Sequence, residues 1–169
     1  MPADILVKID SLFSKRLGIF TNKAKFSYGQ IVDLDQYFKS NKDISGMQWV
    51  VPKYDLFFIL TDTTIGIKNY YLQVRLDQYG QILRMNWPMQ YYTSAKKFAD
   101  RKQVEQFALR RAREKIFLTT RYEVEFIYDY NVEAFYWRFL FPKTTENNFD
   151  CIEINWADFD DIRYITIIK

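Results

Sequence analysis

Hydrophobic positions along the chain first recur at helical spacing and then alternate, and this order of patterns occurs twice. The early apolar residues fit one face of an amphipathic helix over residues 3–17, and Gly18 follows where helix C-termini favour glycine. From residue 20 to 41 the pattern is mixed and fits a short helix, after which KSNKDISG, residues 39–46, predicts a loop. The residues that define these helices are Ile5, Leu6, Ile9, Leu12, Phe13 and Leu17, and then Ile31, Leu34 and Phe38.

Strict alternation of apolar residues then predicts three strands in the first half of the chain. Turn-type residues separate the runs, and Gly80 lies where a tight turn favours a positive φ. Pro88 ends the third run because proline cannot donate to a strand ladder. The alternating residues are Tyr54, Leu56, Phe58 and Leu60; Tyr70, Leu72, Val74 and Leu76; and Leu83, Met85 and Trp87.

The second half repeats this order, with one helix followed by four strands. Asp100 can accept hydrogen bonds from the first helical amides, and Gln103 stands at the spacing of a capping box, so a helix is predicted over about residues 101–118. Its predicted inward stripe comprises Val104, Phe107, Ala108, Ala112 and Ile116. The alternating residues of the strands are Tyr122, Val124, Phe126 and Tyr128; Phe135, Trp137, Phe139 and Phe141; Ile152, Ile154 and Trp156; and those from Ile162 to Ile168.

These patterns predict an α+β fold of two similar units, each a helix packed on an antiparallel β-meander. We assign residues 1–92 to the first unit and 93–169 to the second, with one continuous domain as the alternative. The segment EAFYWRFLF, residues 133–141, should cover one sheet face with rings, and the helix at 101–118 should lie against them. The predicted core residues of this segment are Phe135, Trp137 and Phe139.

Several stretches resemble the PepSY family in pattern, namely VEQFALRRAREKI, YEVEF, AFYWRFLF and CIEINWADFDD, which cover residues 101–161. The stretch YYLQVRLDQYGQIL, residues 70–83, is similar to the last two strands of such a unit, so two tandem copies are conceivable. The sequence departs from the family where Asp158, Phe159, Asp160 and Asp161 replace a small turn. The resemblance implies a helix packed on an antiparallel sheet and a non-catalytic role in binding or inhibiting a protein partner.

The composition narrows the chemistry that the chain can support. Its 169 residues include no histidine and one cysteine, Cys151, so neither a Cys/His metal cage nor a Ser/His or Cys/His nucleophilic pair can form. The five glycines stand singly, which argues against a phosphate-binding loop. The acidic group of Glu153, Asp158, Asp160 and Asp161 lacks the spacing of a calcium loop, and a solvated turn is favoured. We therefore predict a protein that is not an enzyme and that uses no metal or cofactor.

The sequence also bears on location, although it favours no compartment. No signal peptide is visible after Met1, and the apolar run LFFIL is far too short to span a membrane, so a soluble chain without a membrane partner is predicted. The protein would be cytoplasmic if Met1 is native and exported if a leader has been removed. A lone cysteine is compatible with both compartments.

Charge is distributed unevenly although the net charge is only +3. Residues 95–121 carry nine Lys/Arg against three Asp/Glu, whereas residues 122–169 carry four against ten. The basic face of the helix predicted at 101–118 either complements the acidic sheet, which we favour, or binds phosphates or an acidic protein. Nucleic acid is less favoured because no RNP-type or helix-turn-helix signature is present. The cations of this face are Arg101, Lys102, Arg110, Arg111, Arg113 and Lys115.

Tyrosines supply the remaining indication of function. Six of them cannot all share the inner sheet faces, so some should be exposed as a protein-contact surface; the alternative is that they pack between the units or under the first helix. These six are Tyr71, Tyr79, Tyr91, Tyr92, Tyr130 and Tyr136. We predict a protein-binding module, such as an inhibitor or immunity-type partner, ahead of a small-ligand binder with an aromatic cavity or a nucleic-acid binder. The predicted partner-binding residues are Tyr71, Arg75, Tyr91, Tyr92, Arg110, Arg113, Tyr136 and Arg138.

Overall fold

The computed structural model describes residues 2–41, 51–89, 100–143 and 147–169, and these form an α+β fold. It contains two four-stranded antiparallel sheets, each preceded by a helix, which confirms the predicted fold class. By its contacts the chain divides into two compact units, Met1–Thr61 with Asn69–Thr93, and Asp62–Lys68 with Ser94–Lys169. The predicted boundary after residue 92 lies outside the described residues.

The first sheet consists of four strands in consecutive order, β1 (Ala24–Ile31), β2 (Tyr54–Asp62), β3 (Ile67–Leu76) and β4 (Ile82–Met85). The short helix predicted between residues 20 and 41 is confirmed as α2, but β1 was not predicted. Seven of the eight β1 residues are exposed, and the apolar alternation is short, covering only Ala24, Phe26 and Tyr28 before Gly29 and Gln30 end it. A bulge lies between Phe26 and Tyr28. The elements are α1 (Ala3–Arg16), a 3₁₀ helix (Gly18–Lys23), β1 (Ala24–Ile31), α2 (Leu34–Ser40), β2 (Tyr54–Asp62), β3 (Ile67–Leu76) and β4 (Ile82–Met85).

Helix α1 packs its apolar stripe on the first sheet. The ring of Phe13 meets that of Phe58 on β2 edge to face, with 4.6 Å between the centroids. Trp87 is buried, and its indole Nε1 donates to the carbonyl of Arg16 over 3.0 Å, which connects the end of β4 to the end of the helix. The positive φ predicted at Gly80 is confirmed at 78°. The buried residues of the α1 stripe are Ile5, Ile9 and Phe13.

The second sheet has the order β5-β6-β7-β8. The predicted cap of α3 is confirmed, because the Asp100 carboxylate accepts a hydrogen bond from the Gln103 amide over 3.0 Å. The prediction for Ile116 was wrong: the helix ends at Glu114, and Ile116 has a positive φ and is 91% exposed. The elements are α3 (Arg101–Glu114), β5 (Glu123–Asp129), β6 (Ala134–Pro142), β7 (Asn148–Asn155) and β8 (Ile162–Ile168).

Strand β6 is buried on both of its faces. Phe135, Trp137 and Phe139 are core residues as predicted, and they lie on the face that carries α3. Tyr136 and Leu140 on the opposite face are buried as well, which the predicted covering of one face did not include. Continuous apolar sequence in β6 therefore reflects burial on two sides, whereas a strand with one solvated face would alternate.

Candidate functional site

The predicted site residues of the first unit lie on β3. Tyr71 is 60% exposed, as an outward tyrosine should be. Arg75 is engaged within its own sheet, since its Nε donates to the carboxylate of Asp55 over 3.1 Å. The side-chain amide of Gln73 donates to the same carboxylate over 2.7 Å. Tyr91 and Tyr92 lie outside the described residues.

The predicted residues Arg110 and Arg113 are exposed on α3. The guanidinium carbon of Arg110 lies 5.1 Å from the ring centroid of Phe107, so the ring holds this cation near the helix. Arg111 pairs with Glu114 over 3.0 Å. The basic face of α3 is thus present, and part of its charge is neutralised within the helix itself.

The remaining predicted residues, Tyr136 and Arg138, lie on the face of β6 opposite α3. Tyr136 is 1% exposed, so it is not one of the exposed tyrosines that a protein-contact surface requires. Its hydroxyl donates to Asp161 and accepts from Arg163, both over 2.6 Å, and the Arg163 guanidinium stacks 4.0 Å from its ring centroid. Arg138 donates to Glu153 over 2.6 Å, and Glu153 is buried. We call the five residues Tyr136, Arg138, Glu153, Asp161 and Arg163 the polar cluster.

Burial and neighbouring charges shift the pKa values in and beside the polar cluster. Burial, aided by the hydrogen bond to Asp161, raises the pKa of Tyr136 to about 12. Burial acts to raise the pKa of Asp161, but hydrogen bonds from Tyr136 and Asn155 outweigh it and the pKa is lowered. Arg163 lowers the pKa of Asp129 in the same way. Near neutral pH the phenol of Tyr136 is therefore neutral, and it lies between the Asp161 carboxylate and the Arg163 guanidinium.

Other candidate chemistry was also sought in the described ranges. No group of three or more His, Cys, Asp or Glu there could hold a metal ion. Cys151 is buried, and burial raises the pKa of its thiol to about 12, which keeps it protonated and unreactive. No helix within those ranges is both long enough and apolar enough to cross a membrane.

Strand β1 presents a surface that sequence patterns missed. It forms one edge of the first sheet and carries three exposed apolar side chains, Phe26, Tyr28 and Ile31, at 56%, 49% and 55% exposure. The Val32 amide donates to the carbonyl of Lys53 next to β2, so by antiparallel alternation the main-chain groups of Gly29 and Ile31 point away from β2. Among the residues that the structure describes, no strand pairs with this edge, and an edge with exposed apolar side chains and outward main-chain groups is a template for another strand.

A groove of about 710 Å³ lies between α1 and the β1 edge. Its floor is aromatic, with the rings of Phe13 and Phe26 each packed against that of Phe58. Asp10 is the one ionisable residue among its lining, and within the described chain its carboxylate has no ion-pair partner. The lining residues are Leu6, Ile9, Asp10, Phe13, Ser14, Thr21, Asn22, Ala24, Phe26 and Phe58.

The outer edge of the second sheet, β8, is covered differently. Tyr164, Ile165 and Ile168 are exposed there, but cations lie along the strand. The ammonium of Lys115 lies 5.1 Å from the Tyr164 ring centroid, and Lys169 at the strand end pairs with Glu123 and Glu125 on β5. Charged side chains on an edge oppose pairing with further strands; β1 itself carries a single charged side chain, the exposed Lys25.

Comparisons with known proteins add no homologue to this description. No family model matches the chain, and neither the curated proteins nor the solved structures provided a match. The resemblance to PepSY units therefore stays a prediction.

Proposed function

We propose that this chain is a non-catalytic protein-binding module that contacts its partner through the β1 edge. The exposed edge with Phe26, Tyr28 and Ile31 carries this proposal, because strand addition satisfies main-chain groups and buries apolar side chains together. An inhibitor or immunity-type protein would use such a surface without any reaction centre. The PepSY resemblance implies a role of the same class.

Site-specific photocrosslinking in the native cell tests the proposal. A photoreactive phenylalanine analogue is placed at Tyr28 on the β1 edge and, in a matched variant, at Tyr71 on β3, which is similarly exposed. We expect one predominant protein adduct from position 28 and none from position 71. Adducts from position 71 alone would show that the partner contacts the tyrosines predicted from sequence and not the β1 edge. Labelling from neither position would remove the proposal.

The groove between α1 and β1 supports a second candidate, a small-ligand binder. Its volume of about 710 Å³ and its aromatic floor fall in the range of ligand pockets. An apolar small molecule would make no use of the outward main-chain groups of β1, and we therefore rank this candidate second.

A further inference from the structure

The groove of the first unit lies between its helix and its first strand. In the second unit a single aromatic ring crosses the corresponding space between α3 and β5. Tyr122, directly before β5, lies against Phe139 and Phe141, with centroids 6.4 and 5.8 Å away. Its hydroxyl donates to the Glu105 carboxylate on α3 over 2.6 Å. This contact joins the helix to the sheet beside β5, and the hydrogen bond to Glu105 raises the pKa of Tyr122.

Matching positions in the first unit lack this bridge. Phe126 pairs in register with Trp137 as Phe26 pairs with Phe58, and Tyr122 precedes Phe126 by the same four residues that separate Asn22 from Phe26. On the helices, Glu105 follows the buried Val104 as Leu6 follows the buried Ile5. Asn22 and Leu6 thus replace the bridging pair, and both line the groove.

The groove and the β1 edge together specify the chemistry of an occupant. Outward main-chain groups at Gly29 and Ile31 require an extended main chain, and the aromatic floor beside Ala24 and Phe26 requires apolar side chains. Asp10 on the α1 side favours a cation on the same occupant. An eight-residue segment is long enough to run beside the whole of β1, from Ile31 to Ala24.

We propose that the groove between α1 and β1 binds an extended peptide segment of another protein. The segment pairs with β1 at Gly29 and Ile31 and passes the bulge. It then inserts alternate apolar side chains between α1 and β1, with a Lys or Arg beside Asp10. This inference rests on the proposed function, because it names the partner surface that the β1 edge recognises.

Two other occupants fit the same features less well. A second copy pairing through its own β1 would bring Phe26 and Ile31 to the groove side, because the bulge places Tyr28 on the opposite face, and Phe26 already lines its own groove. A small apolar molecule would use neither the main-chain groups nor Asp10. Both occupants are nevertheless distinguishable outcomes of the test.

The test begins with a displayed library of random twelve-residue peptides selected on the wild-type protein. Enriched peptides are synthesised, and their affinities are measured by fluorescence anisotropy for wild type and for the double variant Leu6→Glu/Asn22→Tyr, which recreates the bridge of the second unit. We expect an affinity loss of about tenfold or more, since filling the groove removes the central contacts. Tyr71→Ala is the matched control and should bind as wild type does. If the melting temperature of the double variant is well below that of wild type, the single variant Asn22→Tyr is used in its place.

Two further measurements examine the mode of binding. N-methylation of successive peptide bonds should weaken binding at alternate positions, because only every second residue of an added strand pairs with β1. Asp10→Asn should weaken binding by several-fold at low salt and by less at high salt, because screening already reduces the ion pair there. Equal sensitivity at all methylated positions would contradict strand addition.

The outcomes separate this inference from the proposed function. Peptides that bind the double variant as tightly as wild type, while the Tyr28 crosslink persists, would overturn the groove assignment and leave β1 as the partner surface. Failure to enrich any peptide, with 1-anilinonaphthalene-8-sulfonate bound by wild type and not by the double variant, would identify a small-ligand groove. Self-association that the double variant abolishes in sedimentation would identify a second copy. The last two outcomes also overturn the inference.

Discussion

The two units share one plan and differ most where helix and first strand meet. In each unit a 14-residue helix packs a stripe of three buried residues on a consecutive four-stranded sheet. The first strand of the second unit is partly covered, and Tyr122 bridges it to α3, whereas β1 is almost wholly exposed beside an open groove. The fold therefore does not require this space to be open. Leu6 and Asn22 line the open groove of the first unit, whereas Glu105 and Tyr122 are hydrogen-bonded in the second.

The faces opposite the helices differ in a second way. Each carries an ion pair between its second and third strands, Asp55 with Arg75 in the first unit and Arg138 with Glu153 in the second. Asp55 and Arg75 are partly solvated, while Glu153 is 5% exposed and faces two arginines. The first pair is a surface contact, and the second is part of a buried polar network whose members depend on one another.

The largest predicted difference concerns the matched phenylalanines of the two first strands. Phe126 contacts Phe135, Trp137 and Trp156, so Phe126→Ala should lower the free energy of unfolding by about 3 kcal/mol. Phe26→Ala should cost less than about 1 kcal/mol because that ring is mostly exposed. Urea denaturation followed by tryptophan fluorescence measures both. Equal losses would mean that β1 is covered in solution.

Breaking the two ion pairs should also lower the free energy of unfolding more in the second unit than in the first. The difference should be smaller than for the two phenylalanines. Arg138→Ala leaves the buried Glu153 carboxylate with only Arg163 at 3.7 Å and should cost about 1–3 kcal/mol. Arg75→Ala should cost about 1 kcal/mol or less because its pair is partly solvated. Chemical denaturation at low and high salt measures the two losses, and the Arg75 effect should shrink more with salt. A larger loss at Arg75 would contradict the assignment of burial.

The polar cluster should also make stability depend on alkaline pH. Tyr136 has a folded-state pKa of about 12, above the ordinary value of 10.0, so folding favours the neutral phenol. Its contribution is complete below about pH 10 and is lost as the pH rises to about 12. Tyr136→Phe should therefore be less stable near neutral pH but lose less stability across this window. Thermal melts at successive pH values measure the slope, and Cys151→Ala separates the share of the thiol, whose loss begins near pH 9.

The smallest expected effect on stability comes from closing the groove. Asn22→Tyr adds a ring over Phe13 and Phe58 and should change the free energy of unfolding by about 0.5 kcal/mol in the stabilising direction. The reverse change in the second unit, Tyr122→Asn, removes a bridging ring and should be clearly destabilising. Differential scanning calorimetry of both variants measures the asymmetry. Strong destabilisation by Asn22→Tyr would show that the groove cannot accept a ring.

Much of the architecture could be predicted from local pattern. The spacing of Ile5, Ile9 and Phe13 predicted α1, and the pairing of Asp100 with Gln103 predicted the start of α3, because both signals depend on neighbours within one helical turn or two. The alternating runs of the sheets were also readable, since a half-buried strand needs an apolar residue at every second position.

The predicted site was less accessible to such reasoning. Tyr136 and Arg138 were chosen as outward residues, but the structure places Tyr136 in the buried polar cluster and pairs Arg138 with Glu153. The sequence does not show whether a polar side chain will be solvated or will pair with a residue fifteen positions away. Strand β1 was missed because its apolar alternation is confined to Ala24, Phe26 and Tyr28, too short a run to stand out in a mixed stretch.

Local pattern was sufficient to predict the α+β class, the order of helix and meander in each half, and the core rings of β6, because these follow from periodicity and burial of apolar area. Folding in three dimensions was needed to show which strand lies at an accessible edge, which cations are neutralised across the sheet, and where a groove remains beside a helix. Those properties depend on which distant residues meet, as Tyr122 meets Glu105 in one unit while Asn22 and Leu6 leave the matching space open in the other.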